Sequence, residues 1–216
     1  VNFLAGRGHE THAFARDWDP AHVAQDVVRH DLRVPALIPA MEVPMFRRRL
    51  SRELGRMTPR PDVIAGFGAT APDGAVTWMT SVHAAWIETA RQLRGPMGRL
   101  RQRVNPFHPV ILGLERRLLE QRRYGALIAL TPQVKADMVR LYQVPEDEVE
   151  VIPNGYSRRE FPLVTPEGRR TARDSLGFRD DDKVLMFVAN ELDRKGFDPL
   201  LDAIRVMGDH SVRLLA

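Results

Sequence analysis

Residues 184–201, VLMFVANELDRKGFDPLL, join an apolar run to a short basic loop and then to the start of a helix. Arg194, Lys195 and Gly196 stand together in that loop. A basic pair beyond the carboxyl end of a buried strand can neutralise a phosphate, and a glycine beside it lets a ligand approach the backbone closely. The chemistry such a loop suits is the binding of a phosphate-bearing ligand. Taken alone, the two charges also read as ordinary surface residues. A second stretch, VEVIPNGYSRREF at 149–161, reads as a strand, a tight turn at Pro153-Asn154-Gly155 and a basic linker. Alone, it is a plain turn.

Other chemistries are excluded or disfavoured by composition. The 216 residues contain no cysteine, which removes disulfides, thiolate metal sites and a cysteine nucleophile. It also fits a reducing cytoplasm. The seven histidines are scattered without HExxH or a similar ligand spacing, which argues against a zinc enzyme. No apolar run approaches the roughly 18–20 residues needed to span a bilayer, and Val1–Gly8 does not read as a signal peptide. At 44% hydrophobic and 28% charged residues, the composition is that of a soluble chain able to build a core.

The formal charge of +4 is regional. From Ile87 to Arg123 nine arginines face three glutamates, a net +6, and from Arg47 to Arg60 six arginines face Glu53, a net +5. Such patches suit an anionic membrane surface, a nucleic acid or an anionic substrate, and equally a solvated arginine-rich surface.

The elements that must position these residues alternate between strand and helix. Val1–Ala5 reads as a last helical turn stopped at Arg7-Gly8, followed by a strand at Glu10–Ala15 and another at 27–33. The strand expected before that first turn is absent, and Val1 is not a methionine, so the reading places the natural N-terminus upstream. A basic helix spans Val43–Met57, with Pro59 and Pro61 closing it. Strands at 62–66 and Val76–Met79 come next, then an interrupted helix over 84–104, broken at Gly95-Pro96, and a helix over Val110–Tyr124. Ala126–Leu130 reads as a strand, Thr131 and Pro132 as the N-cap and first position of a helix reaching Tyr142, and Val149–Ile152 as a strand. Residues 156–168 carry Pro162 and Pro166 and read as a linker. The pattern then restarts: a helix over Arg169–Leu176, a strand over Val184–Ala189, a helix capped by Asp198, and a strand from Val212. The class is therefore α/β with parallel sheets: a Rossmann-like domain over 1–155, a linker over 156–168 and the beginning of a second such domain over 169–216.

Together, VIPNGY with the later FVANELDRKGFDPLLDAI resembles the family-four retaining glycosyltransferases of GT-B fold. LAGRGHETHAFA resembles the end of their first helix and second strand, and LIALTPQVKADMVRLYQVPEDEVEVIPNGY their last N-terminal βαβ unit. By pattern, the lipopolysaccharide-core glucosyltransferases are nearest. The resemblance implies two Rossmann-like domains, with the acceptor on the N-terminal one and the nucleotide sugar, UDP- or GDP-linked, on the C-terminal one. It implies retention of anomeric configuration without a required metal or other cofactor. Lys195 matches the family's diphosphate-binding lysine. The usual arginine five positions earlier is Asn190 here, with Arg194 the substitute, and Gly196 completes the loop. His83, in TSVHAAW, matches a histidine placed beside the donor sugar; it also reads as a structural histidine. Asn154 and Gly155 match the hinge at the cleft floor. Residues 87–123 fall where relatives carry a membrane-facing region, with Leu93, Met97, Leu100, Val104 and Phe107 as apolar anchors.

The resulting expectation is a retaining hexosyltransferase acting on a glycan or lipid-linked acceptor in cell-envelope polysaccharide or lipopolysaccharide synthesis. It would be cytoplasmic and peripheral on the inner face of the membrane. The glycine-rich loop and the donor-binding glutamates are expected outside 1–216, so this stretch alone is expected to be inactive. The alternative is a non-catalytic Rossmann-like module, either a partner subunit, to which Asn190 points, or a nucleic-acid binder. The latter lacks a stacking platform, since three Trp and three Tyr are not grouped on strands.

Overall fold

The computed structural model describes residues 1–35, 39–190 and 192–216, with the side chains of Pro20, Asp193 and Arg194 outside the description. The chain divides into two compact units, Val1–Asn154 and Gly155–Ala216.

The first unit opens with the short helix α1 (Asn2–Ala5), and Gly8 then turns at φ 85°, a backbone state that glycine adopts without a Cβ penalty. Strands β1 (Thr11–Ala15) and β2 (Val27–Asp31) pair in parallel, Thr11 opposite Val27 and Ala15 opposite Asp31. Helix α2 spans Pro39–Arg56 and so begins before the expected Val43. Pro44 lies inside it, one turn in. It removes one amide donor from the helix. Strand β3 (Ala65–Phe67), a 3-10 turn at Gly68–Thr70 and strand β4 (Val76–Met79) follow.

Three helices then cross over. They are α3 (His83–Leu93), α4 (Pro96–Val104) and α5 (Phe107–Leu119). The break at Gly95-Pro96 falls where the sequence places it. Helix α5 begins and ends earlier than the expected 110–124. Pro106 is its N-cap and Pro109 lies in its first turn, where a missing N–H leaves no helical bond unmade, and Arg122 at φ 51° lies beyond its end. Strand β5 (Ala126–Ala129), helix α6 (Pro132–Tyr142) and strand β6 (Val149–Val151) close the unit. Thr131 caps α6, its hydroxyl accepting from the Val134 amide at 3.2 Å, and Gln143 in the left-handed region ends it.

Strands β3, β4, β5 and β6 form one parallel sheet in that order. Met79, Leu127 and Ala129 from the sheet pack against Leu118 and Leu119 of α5 and Met138 of α6, all fully or almost fully buried. This core fixes where β4 ends and α3 starts.

In the second unit, Thr165 caps helix α7 (Pro166–Ser175), accepting from the Gly168 amide at 3.1 Å. The helix therefore starts inside the expected linker, because Thr165-Pro166 is the same cap-and-first-position pair as Thr131-Pro132. Strand β7 (Lys183–Met186), helix α8 (Leu192–Lys195), helix α9 (Phe197–Met207) and strand β8 (Val212–Leu215) follow, with β7 and β8 parallel. Asp198 is not the cap of α9: Gly196, at φ 83°, holds the N-cap position without a side-chain bond, and Asp198 lies in the first turn. Among the described residues, no helix is long and apolar enough to cross a membrane.

The entry to β5 passes so close to the entry to β4 that a Cβ on Gly125 would sit 2.4 Å from the Gly74 carbonyl oxygen. Gly125→Ala is therefore expected to cost about 1–3 kcal/mol, read as a lower urea midpoint. Gly113→Ala, on the open face of α5, should instead gain roughly 0.5–1 kcal/mol.

Candidate active site

The site in the first unit is assembled where β4 gives way to α3. Val82 offers no side-chain cap to α3. The carboxylate of Glu115, from α5, takes that place. Its Oε1 accepts from the His83 amide at 2.5 Å, and its Oε2 accepts from the Ala84 amide at 3.2 Å and from the Tyr142 hydroxyl at 2.7 Å. Glu115 is 3% exposed. Burial pushes its pKa above the ordinary carboxylate value, against the pull of the three donors. The carboxylate also meets the positive end of the α3 dipole, so it is held by geometry as well as by charge. The same burial and the hydrogen bond to Glu115 push the Tyr142 phenol far up, and it stays protonated as a donor.

His83 is thereby fixed as the first residue of α3, at the carboxyl end of β4. Its Nε2 lies 3.0 Å from Nδ1 of His108. Two neutral rings at that distance share one proton, one donating and the other accepting. Trp86 stacks on His83 with centroids 5.5 Å apart, Phe107 meets it edge-on at 5.8 Å, and the Arg94 guanidinium lies over Trp86 at 5.3 Å. Burial, then the neighbouring His108, lowers the pKa of His83; burial, then Arg94, lowers that of His108. Both rings are therefore neutral at pH 7. His83 Nδ1 has no partner among the described residues. A neutral imidazole with a free ring nitrogen can hydrogen-bond a hydroxyl, and the adjoining indole face can stack on an apolar sugar face.

In the second unit, the chain leaves β7 and bends at the exposed Asn190. Lys195, exposed, ends α8, and Gly196 turns the backbone into α9. The expected loop is thus a short helical turn followed by a left-handed junction, which places Lys195 one residue before the N-cap of α9. The Arg194 side chain lies outside the described residues. Asn154 and Gly155 are exposed and flank the boundary between the units. The expected turn at 153–155 is an irregular segment; the hydrogen-bonded turn comes later, where the Phe161 amide donates to the Ser157 carbonyl at 2.8 Å.

Of the expected anchors within 87–123, Leu93, Met97, Leu100 and Val104 are exposed along α3 and α4. Phe107 instead packs on His83. His108, Trp86, Glu115 and Tyr142 were missed by sequence reasoning. The available signal was Glu115, an acid on the apolar stripe of α5. Among the described residues, no group of three or more His, Asp or Glu is placed to hold a metal ion.

Strands paired in parallel and alternating with helices in both units give the α/β architecture of the GT-B fold. The fold agrees: the crystal structure of WaaG, a glycosyltransferase involved in lipopolysaccharide biosynthesis, superposes with a TM-score of 0.77 at 22% identity over 99% of this chain and 56% of that one. The profile of Glycosyltransferase Family 4 matches residues 1–159, and the chain belongs to that family. An uncharacterised glycosyltransferase of Methanocaldococcus jannaschii is 30% identical over 91 residues, which cover 41% of this chain and 23% of that protein. The lipopolysaccharide glucosyltransferase WaaG of Escherichia coli (strain K12) is 27% identical over 120 residues, covering 55% of this chain and 31% of that protein. The matched stretches therefore span less than a third of these two relatives, and the chain about half of the WaaG structure.

Removing Glu115 leaves two amides and a phenol without their acceptor. Glu115→Ala is expected to cost about 2–4 kcal/mol, measured by urea denaturation. The lowered pKa values of His83 and His108 mean that the unfolded chain takes up protons that the folded chain refuses. Their contribution to stability is full above the ordinary histidine pKa near 6.5 and falls as pH drops below it. A His83→Gln/His108→Gln variant should lose less stability than wild type between pH 7 and pH 5.5, compared by thermal melts.

Proposed function

We propose that this protein, in its full-length form, transfers a hexose from a nucleotide-sugar donor to a glycan or lipid-linked acceptor with retention of anomeric configuration. The bond from the anomeric carbon to the diphosphate oxygen breaks, the acceptor hydroxyl oxygen bonds to the same carbon, and the hydroxyl proton passes to the departing diphosphate. Negative charge grows on the departing diphosphate. The observation that carries this reading is the junction at Lys195-Gly196. Gly196 in the left-handed region is the N-cap of α9 and Lys195 directly precedes it, so a cationic residue adjoins a helix start whose first amides are donors suited to a leaving diphosphate. Asn190 and Arg194 complete that loop on this reading.

In the first unit, neutral His83 hydrogen-bonds a hydroxyl of the transferred sugar, and Trp86 offers an apolar face to a sugar ring. The segment at Asn154 and Gly155 serves as the hinge at the cleft floor. Support for a lipid-linked acceptor comes from α4, whose exposed Met97, Leu100 and Val104 alternate with Arg99, Arg101 and Arg103. Such a face docks on anionic headgroups, which suits a cytoplasmic protein peripheral to the inner membrane. The relation to WaaG supports a place in lipopolysaccharide or other cell-envelope polysaccharide synthesis. Donor binding in this scheme requires no metal.

The test is nucleotide release by the complete gene product, screened over UDP-, GDP- and ADP-sugars with a lipid-linked acceptor. Release from one donor class is expected, falling about 10²–10³-fold in Lys195→Ala, with the product retaining the donor's anomeric configuration by NMR. Absence of release from every donor would point to a non-catalytic partner subunit, the role that Asn190 in place of an arginine would favour.

A further inference from the structure

The two arginine-rich runs of the sequence, 47–60 and 87–123, meet at one cavity of about 570 Å³. It is bounded by α2, by α5 and by the chain entering β3 and β4. Because the sheet is parallel and α5 runs back toward the strand entries, this cavity lies at the amino ends of the strands. His83 and Thr131 lie at the carboxyl ends. The cavity is thus a feature separate from the site described above.

Its charge is unbalanced. Arg47, Arg48, Arg60 and Arg117 line it together with one carboxylate, Asp73, so four positive charges less one negative leave a net +3. Asp73 is shared: its Oδ1 lies 2.8 Å from Nη2 of Arg47 and its Oδ2 lies 2.9 Å from Nη2 of Arg117. Arg47 also donates to the Ala69 carbonyl at 3.2 Å, and its side chain is 12% exposed. Its charge is therefore mostly out of water and only half matched. Burial outweighs Asp73 and lowers the Arg47 pKa. Arg48 and Arg60 are exposed at the rim and have no carboxylate partner among the described residues.

The remaining wall is aliphatic, formed by Leu54, Ile64, Pro72 and Leu114. Among the described residues no aromatic side chain lines the cavity to stack a nucleobase. Guanidinium groups in this number match the oxygens of a phosphate better than a single carboxylate, and the volume lies within the range of small-molecule sites.

We propose that this cavity is a second anion site, taking a phosphate monoester or diphosphate carried on an aliphatic body, with Arg48 and Arg60 closing on the phosphate from the rim and Arg47 and Arg117 held beneath it by Asp73. The ligand is either a soluble phosphorylated compound or a phospholipid headgroup; the phosphate chemistry is common to both.

The test uses the complete gene product and two arms. In the first, inorganic phosphate and pyrophosphate are titrated calorimetrically. In the second, co-sedimentation is compared between phosphatidylcholine vesicles and the same vesicles carrying phosphatidic acid. Two charge variants are compared, Arg48→Ala/Arg60→Ala at the rim and Arg52→Ala/Arg170→Ala as an equal loss of charge outside the cavity, each in the wild type and on a Lys195→Ala background that removes the donor-loop contact. On the Lys195→Ala background the rim pair is expected to weaken binding by at least about tenfold, with an unchanged urea midpoint, while Arg52→Ala/Arg170→Ala stays within about twofold. Binding of soluble phosphate or pyrophosphate, with phosphatidic acid no better than phosphatidylcholine, assigns a soluble ligand. Binding to phosphatidic acid vesicles alone, weakened by the rim pair, assigns a headgroup. No binding in either arm, vesicle binding that the rim pair leaves unchanged, or an equal loss in Arg52→Ala/Arg170→Ala, overturns the site. Loss in Lys195→Ala but not at the rim would also overturn it and assign the anion to the donor loop. The outcome is independent of whether nucleotide is released from any sugar donor.

Discussion

The buried carboxylate of Glu115 is the constraint on which the rest of the first unit's site depends. It belongs to α5, caps α3 and accepts from the last residue of α6, so one side chain ties three helices at a point directly beyond the carboxyl end of β4. Apolar packing of Leu118, Leu119 and Met138 brings these helices together without direction. The carboxylate adds direction, because its acceptors are satisfied only when the α3 amides and the Tyr142 hydroxyl converge from the correct sides. The position of His83 follows from that convergence, and the position of His108, seven residues before Glu115 on the same helix, follows with it.

The two ends of the parallel sheet carry different electrostatics. At the carboxyl ends, helix N-termini face the site, and the titratable rings there are kept neutral by burial. At the amino ends, fixed guanidinium charges gather around a single carboxylate. Neutral, hydrogen-bonding groups suit recognition of hydroxyls. Permanent cations suit recognition of permanent anions. The fold keeps these two kinds of surface apart by the length of a strand.

Much of the architecture was legible because its signals are local. Thr131-Pro132 marks a helix start wherever it occurs, Gly95-Pro96 breaks a helix, and Val76–Met79 can hardly be other than a buried strand. The misplacements were local too. The helix expected from Val110 begins at Phe107 instead, because Pro106 at its N-cap and Pro109 in its first turn are both tolerated there. Asp198 read as a cap, whereas Gly196 holds that position by backbone conformation alone. The surroundings of His83 were not legible, because Glu115, His108 and Tyr142 reach it from 25 to 59 residues away in the chain, and nothing in their spacing announces that meeting. The convergence of two basic runs was likewise invisible, since each run alone reads as a solvated face.

Asp73 is grasped by one arginine from α2 and one from α5, and it lies on the strand entry rather than on either helix. The two helices pack on each other and also share this peg in the chain beneath them. Neutralising or displacing that one carboxylate would take an ion pair from both helices in the same event, leaving Arg47 its bond to the Ala69 carbonyl and Arg117 no side-chain bond among the described residues.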